Sequence, residues 1–200
     1  MRVTSLKLSI LALIAVAALT TAPIASADSF TITSNNLGLS GTLGTVVTSQ
    51  NGSNVDVTIT MSPGYAILLN GGDIGLNTTG GLVLTTSSLS NFSISGLSAS
   101  LKNNTTIGSF SFSYIFKTSV SGGQQFPTSL SFTVLNASLN QITGLGTHIC
   151  VLDNTGQGCA TTGFAATGGT PVVTPEPGTL GLLGTGLVGL AGLVRRRFLS

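Results

Sequence analysis

The sequence predicts an all-β protein: an antiparallel β-sandwich flanked by an N-terminal signal helix and a C-terminal transmembrane helix. Two observations predict the sandwich. Apolar and polar residues alternate along several runs, with the period of two that marks a strand with one buried and one solvated face. Clusters rich in Gly, Asn and Ser separate these runs, and nothing in the body repeats with the period of an amphipathic helix. We therefore expect about eight to ten short strands, in a jelly-roll or an immunoglobulin-like order.

Three runs show the alternation most clearly. They are NVDVTITM (54–61), SFSFSYIF (109–116) and LSFTV (130–134). The predicted buried faces are Val55, Val57, Ile59 and Met61 in the first run, Phe110, Phe112, Tyr114 and Phe116 in the second, and Leu130, Phe132 and Val134 in the third. The alternation also changes phase around Gly96, which indicates a bulge or a tight turn at that glycine.

The N-terminal segment 1–27 has the three parts of a secretory signal peptide. Arg2 and Lys7 give it a positively charged start, and an apolar stretch follows. The small residues Ala25 and Ala27 form the predicted cleavage site. We expect cleavage after Ala27. The exported chain would then fold in an oxidising compartment.

The charge distribution excludes nucleic acid as a partner. The body has four aspartates and two lysines, hence a net charge of −2 (2 − 4). They are Asp28, Asp56, Asp73, Asp153, Lys102 and Lys117. A protein that neutralises phosphates needs a basic stripe, and the body has none.

The two cysteines, Cys150 and Cys159, predict a disulfide. They flank the turn-forming sequence DNTGQG, and cysteine pairs in exported domains are usually oxidised. A metal site is the alternative, with His148 as a third ligand on the same strand face as Cys150. Because no fourth ligand has a recognisable spacing, we expect the disulfide and no metal.

The single histidine, His148, is the candidate general base of a hydrolase. A catalytic triad would also need an acid, for which Asp153 is the nearest in sequence, and an activated serine. The sequence contains no G-x-S-x-G motif, and glycosidase chemistry needs two placed carboxyl groups in a body that has no glutamate. We therefore expect no catalytic residue, no enzymatic activity and no cofactor.

The sequence shows part of the pattern expected for a calcium site, and its aromatic residues bear on a carbohydrate site. Asp73, Gly75 and Asn77 alternate like the start of a calcium-binding loop, but no glutamate closes the pattern, so a turn with Asx hydrogen bonds is expected instead. A carbohydrate-binding module usually presents aromatic platforms. The chain has no Trp, and Tyr65 and Tyr114 lie in apolar runs that favour core packing.

The C-terminal sequence has the features of a stop-transfer segment. Its first part, up to Pro177, is rich in proline and predicts an extended linker. Residues 178–194 carry no charge and have a length at the short end of what crosses a bilayer as a helix. The three arginines that follow, Arg195, Arg196 and Arg197, would hold the C-terminus in the cytoplasm.

The resulting domain prediction has four parts. They are a signal peptide at 1–27, a β-sandwich domain at 28–170, a proline-rich linker at 171–177, and a transmembrane helix with a basic tail at 178–200.

The tail resembles the PEP-CTERM sorting signal of Gram-negative bacteria. The resemblance is carried by Pro175-Glu176-Pro177, the glycine-studded apolar segment and the terminal arginines, in that order. It implies recognition by an exosortase, a membrane-embedded sorting enzyme, and cleavage at or near Pro175-Glu176-Pro177. It also implies transient membrane insertion through 178–194. Proteins with this signal are associated with the cell surface or the exopolysaccharide-containing extracellular matrix.

These observations leave three hypotheses for the function. The leading one is a non-enzymatic protein that is exported through the inner membrane, processed at its C-terminus and delivered to the cell surface or matrix. The alternative is a carbohydrate-binding module for exopolysaccharide. A secreted hydrolase is the third, and the absence of an evident acid–base constellation counts against it.

Overall fold

A computed structural model of the chain describes residues 26–175, together with Gly186 and Gly189. The described part is built from strands and one short 3-10 helix, Leu139–Gln141. The strands are β1 (Ser26–Asn35), β2 (Gly44–Asn51), β3 (Asn54–Met61), β4 (Tyr65–Ile67), β5 (Asp73–Thr78), β6 (Leu89–Ser90), β7 (Ser98–Lys102), β8 (Thr106–Ile107), β9 (Phe110–Ser111), β10 (Tyr114–Ser119), β11 (Ser129–Val134), β12 (Ile142–Leu152) and β13 (Cys159–Pro175). The all-β prediction is confirmed.

The predicted flanking helices fall almost entirely outside the described residues. Only Ser26 and Ala27 of the predicted signal segment, and Gly186 and Gly189 of the predicted tail helix, are described. Within this described set, no helix has the length and apolar character needed to cross a membrane.

The strands pair antiparallel, and eleven of those described form one sheet. Its order is β6-β11-β3-β2-β1-β13-β12-β5-β10-β7, and β4 pairs with β12 beside this path. The backbone N–H groups of Ile67 and Leu69, in and after β4, donate to the carbonyl oxygens of Pro127 and Gln125, at 2.8 and 3.0 Å. Because those acceptors directly precede β11, distant strands of the path approach each other. The sheet therefore bends around one core, in a sandwich-like arrangement.

The core confirms the predicted buried faces of two runs. Val55, Val57 and Ile59 of β3 are fully buried, and so are alternate residues of β11, among them Leu130 and Phe132. The Phe132 ring lies 5.9 Å from the ring of Phe92, which closes the core under the loop before β7. Since neighbouring strands contribute side chains to the same cluster, burial of apolar surface is the main favourable term for this fold.

The predicted turn at Gly96 is also confirmed. Gly96 has φ of 73°, in the left-handed region that side chains other than glycine rarely occupy, and it lies directly before Leu97, which is buried. After this turn the apolar side chains that point to the core occupy positions of the opposite parity, which explains the change of phase in the sequence.

The prediction that 109–116 forms one strand with one buried face is wrong. The run is divided between β9 and β10, and the adjacent residues Ile115 and Phe116 are both fully buried. Phe116 belongs to the main core, whereas Ile115 packs with Phe112 and Ile107 in a second apolar cluster. The hairpin of β8 and β9 carries Ile107 into this cluster, so β10 is buried on both faces at Ile115 and Phe116, whereas Lys117 and Ser119 are exposed.

Phe112 is seated on two glycines of neighbouring strands. Gly75 of β5 and Gly146 of β12 lie directly opposite each other. A Cβ atom on Gly75 would come within 2.5 Å of the Phe112 ring, and one on Gly146 would overlap Cζ of the same ring. The two glycines therefore leave the space that the ring fills, and the aromatic side chain can lie flat on the backbone of the sheet.

Candidate functional site

The first candidate site is the place where the two ends of the continuous segment 26–175 meet. The last four residues of β13 pair with the first four of β1: Pro175 with Ser26, Thr174 with Ala27, Val173 with Asp28, and Val172 with Ser29. A bulge then separates this short ladder from the rest of the β1–β13 pairing, which resumes at Thr31 and Gly168. We call these four pairs the terminal ladder. It places the first proline of the Pro175-Glu176-Pro177 sequence at the end of a strand.

The predicted linker 171–177 begins inside this strand. The sequence interpretation assigned Pro171 and Pro175 to an extended linker that follows the last strand, and β13 continues to Pro175. Pro171 lies in the bulge, and Pro175 is the terminal residue of the strand. These are positions where a missing N–H costs least, and the intervening Val172, Val173 and Thr174 are β-branched and favour strand geometry.

The predicted signal cleavage point also lies in the sheet. Ala27 is 7% exposed and is flanked by Thr174 of β13 and Ser49 of β2. Asp28, the residue after the predicted cut, is buried too, and its carbonyl oxygen accepts a hydrogen bond from Oγ1 of Thr48. The last two residues of the predicted signal segment thus belong to β1.

The other processing residues lie outside the described part of the chain. They are Ala25, Glu176, Pro177, Arg195, Arg196 and Arg197. Their assignment as the signal cleavage site, the sorting motif and the basic stop remains a prediction.

The predicted disulfide is confirmed. Cys150 of β12 and Cys159 of β13 are joined across the hairpin, with a Cα–Cα distance of 5.3 Å. A bridge that closes so short a loop contributes about 2–3 kcal/mol in the chain-entropy model. Because both sulfurs are engaged in the bond, the alternative metal site with His148 has lost its thiolate ligands. Among the described residues, no group of three or more His, Cys, Asp or Glu has the geometry to hold a metal ion.

Asp153 organises the turn inside the disulfide loop. Its Oδ1 accepts hydrogen bonds from the hydroxyl and the backbone N–H of Thr155, at 2.7 and 3.0 Å. These bonds, the hydroxyl first, lower the pKa of the Asp153 carboxyl group. Since the carboxylate closes an exposed turn and is not bonded to His148, it does not act as the orienting acid of a triad.

His148 lies on the outer face of β12, next to the second apolar cluster. Its ring is 4.3 Å from the ring of Phe164 on β13, tilted by 30°. Its Nδ1 is buried and has no hydrogen-bond partner in the described part of the chain. Burial lowers the pKa of His148, and the Asp73 carboxylate and the Gly71 backbone oppose this more weakly.

The residues around His148 form an ion pair instead of a catalytic triad. Both carboxylate oxygens of Asp73 on β5 accept from Nζ of Lys102 on β7, at 3.1 and 3.0 Å. Within the described residues, no hydroxyl group is hydrogen-bonded to the His148 ring. The described residues around His148 therefore differ from the hydrogen-bonded serine, histidine and acid of a catalytic triad. Sequence reasoning missed this ion pair, because the residues are 29 positions apart.

The expected Asx turn at Asp73, Gly75 and Asn77 is wrong. All three residues lie in β5, where Asp73 forms the ion pair and Oδ1 of Asn77 accepts from the backbone N–H of Ser113 at 3.1 Å. Pairing with β10 and β12 keeps the segment extended, so it has neither the turn nor the loop that calcium coordination needs.

The burial of His148 predicts a loss of stability on acidification. The pKa of His148 is below its ordinary value of 6.5 in the folded chain, so the unfolded chain takes up the proton first as the pH falls. The uncharged, half-buried His148 therefore makes its full contribution to the free energy of unfolding above pH 6.5. This contribution is lost as the pH falls through 6.5 towards the pKa of His148 in the folded chain. We expect the free energy of unfolding to decrease from about pH 7 to about pH 5 in the wild type, and to decrease less in His148→Gln. Urea titrations at each pH measure this, and equal decreases in the two proteins would contradict it.

The comparisons with known proteins point to the same end of the chain as the terminal ladder. Residues 173–197 match the family model of the PEP-CTERM protein-sorting motif. No curated protein and no solved structure matches the chain. The match begins at Val173, inside the terminal ladder, and continues through the apolar segment to Arg197. This match supports the interpretation that the chain is an exported protein sorted by an exosortase. The chain thus carries a folded β-domain that ends in a PEP-CTERM protein-sorting motif.

Proposed function

We propose that the chain is a non-enzymatic surface or matrix protein whose tail an exosortase removes at or near Pro175-Glu176-Pro177. The observation that carries the proposal is the match over 173–197, which starts at the last strand of the fold. A cut near Pro177 would leave every strand from β1 to β13 in the released body. The described core residues and the disulfide all lie before this cut.

The tail has the chemistry of a temporary anchor. Its uncharged segment 178–194 is short for a spanning helix and contains a glycine about every third residue, which weakens helix formation. Arg195–Arg197 would stop the chain from passing through the membrane. An enzyme embedded in the same bilayer would then find Pro175-Glu176-Pro177 just outside the apolar layer.

The described residues do not single out a carbohydrate ligand. The hydroxyl of Tyr114 donates to the carbonyl oxygen of Leu82 at 3.0 Å, and both Tyr65 and Tyr114 pack against the core. Neither tyrosine presents its ring as a platform for a sugar. We therefore propose the sorting role and leave exopolysaccharide binding as an alternative from the sequence alone.

Deleting the exosortase gene tests the proposal. In wild-type cells we expect the body in the surface or extracellular fraction, without residues 178–200. In the deletion strain we expect the same protein in the membrane fraction with the tail attached, because the uncut apolar segment keeps its affinity for the bilayer. Complementation with the gene is the control. An unchanged distribution in the deletion strain would contradict exosortase-dependent sorting.

A further inference from the structure

The terminal ladder connects the two processing points of the chain. The predicted signal cut follows Ala27, and the residues on its N-terminal side, Ser26 and Ala27, lie opposite Pro175 and Thr174. From the pairing we propose that removal of the signal peptide releases Pro175, the first residue of the sorting motif, from the sheet and so controls when the tail can be cut. This inference rests on the proposed function, and it adds an order to the two processing steps.

Within the described part of the chain, β1 is the only strand that pairs with this end of β13. Strand β12, its second neighbour, pairs with β13 only as far as Ala166. Among the described residues, the strand from Gly168 to Pro175 pairs with β1 alone. Any loss of β1 residues is therefore a direct loss of pairing for the motif-bearing end.

The predicted signal cut removes half of the terminal ladder. Of its four pairs, those of Ser26 and Ala27 disappear with the signal peptide, which leaves Asp28–Val173 and Ser29–Val172. These two remaining pairs lie beyond a bulge and would involve the new N-terminal residues of the chain. Chain termini without flanking pairs fray readily, so residues 172–175 would leave the sheet much of the time.

Release of the strand end from the sheet should make the motif easier to cleave. A strand within a sheet has its backbone groups engaged, and cleavage of such a segment generally follows the population of the opened form. Two ladder pairs, each with the net contribution of roughly one hydrogen bond, correspond to a change of roughly ten- to thirtyfold in that population. With the signal peptide attached, Val172 to Pro175 would be held in the sheet, and after its removal this segment would be free to enter the enzyme.

The first test measures the release itself, in cells that lack the exosortase so that every form keeps its tail. Ala25→Leu should block signal cleavage while leaving Ser26 and Ala27 unchanged, and Ala25→Ser, still small at this position, is the matched control. We expect the amides of Val172, Val173 and Thr174 to exchange with solvent roughly ten- to thirtyfold faster in the control than in Ala25→Leu. Equal exchange rates would overturn the release.

The second test measures tail removal in wild-type cells by pulse-chase. We expect Ala25→Leu to lose its tail roughly ten- to thirtyfold more slowly than Ala25→Ser. Adding Ala27→Pro to Ala25→Leu, which weakens the ladder without restoring signal cleavage, should return the rate towards that of the control. An oxidised Cys150–Cys159 pair in each variant shows that the domain is exported and folded.

The outcomes separate this inference from the proposed function. Equal rates of tail removal in Ala25→Leu and Ala25→Ser would overturn the coupling but leave exosortase processing intact. If the wild-type tail were never removed, the proposed function would be contradicted, and so would the claim that signal-peptide removal controls tail cutting. Faster amide exchange in Ala25→Ser would then support only the release of the strand end from the sheet.

Discussion

Replacing Pro175, Glu176 and Pro177 together by alanine is expected to leave the protein in the membrane fraction with residues 178–200 attached. Proline fixes φ and lacks an N–H group, so Pro175 and Pro177 keep the segment extended and prevent the tail helix from continuing into it. Alanine is the strongest helix former and removes both constraints, as well as the carboxylate that separates the prolines. We expect near-complete loss of tail removal, measured by cell fractionation and by the mass of the membrane-bound form.

The matched control replaces three exposed residues elsewhere. Asn103, Asn104 and Thr105 are exposed and lie in the loop between β7 and β8, so their replacement by alanine should change neither the core nor the tail. This control should reach the surface or extracellular fraction like the wild type. If the variant at the motif were released as efficiently as the control, Pro175-Glu176-Pro177 would not be the recognition sequence.

Gly146→Ala is expected to destabilise the fold by about 2–3 kcal/mol, which is large for the addition of one methyl group. The new Cβ would overlap the ring of Phe112, which already lies against Gly75 on the next strand and cannot retreat into open space. Either the ring must leave the second apolar cluster, or β12 must move away from it. Urea unfolding of the purified protein gives the change in the free energy of unfolding.

Two variants make this test specific. Gly144→Ala adds the same methyl group two residues earlier on β12, where its nearest neighbour is the side-chain oxygen of Thr167, so we expect a loss below about 1 kcal/mol. In a chain that already carries Phe112→Ala, the additional cost of Gly146→Ala should largely disappear, because the overlapping ring is gone. Equal costs of Gly146→Ala with and without Phe112 would contradict the packing explanation.

The sequence was most informative where one local rule determines the structure. Alternation in 54–61 and 130–134 predicted the buried faces of β3 and β11, because each run forms a strand with its inward face against the main core. The spacing of Cys150 and Cys159 around a turn predicted the disulfide for a similarly local reason. The tail motif could be identified because its order of elements is read directly from the chain.

Prediction failed where residues distant in sequence determine the structure. In the run 109–116, Ile115 was expected on the solvated face but is buried with Ile107 of the β8–β9 hairpin, and Phe112 packs on Gly75 and Gly146 of other strands and not in the main core. The sequence also did not indicate that β13 extends to Pro175, within the predicted linker. Proline normally indicates a break in a sheet, yet Pro171 is accommodated in the bulge and Pro175 at the strand end, because β1 supplies the partner. The Asp73–Lys102 ion pair likewise depends on a pairing that only the fold reveals.

The central claim is that the tail of this chain is a sorting signal which is removed, and the intact mass of the exported wild-type protein tests it most directly. The account predicts a species that extends from Asp28 to about Pro177, contains the oxidised Cys150–Cys159 pair and lacks both apolar ends. A surface protein whose mass still includes Arg195, Arg196 and Arg197 would contradict the account, and the tail would then be a permanent anchor.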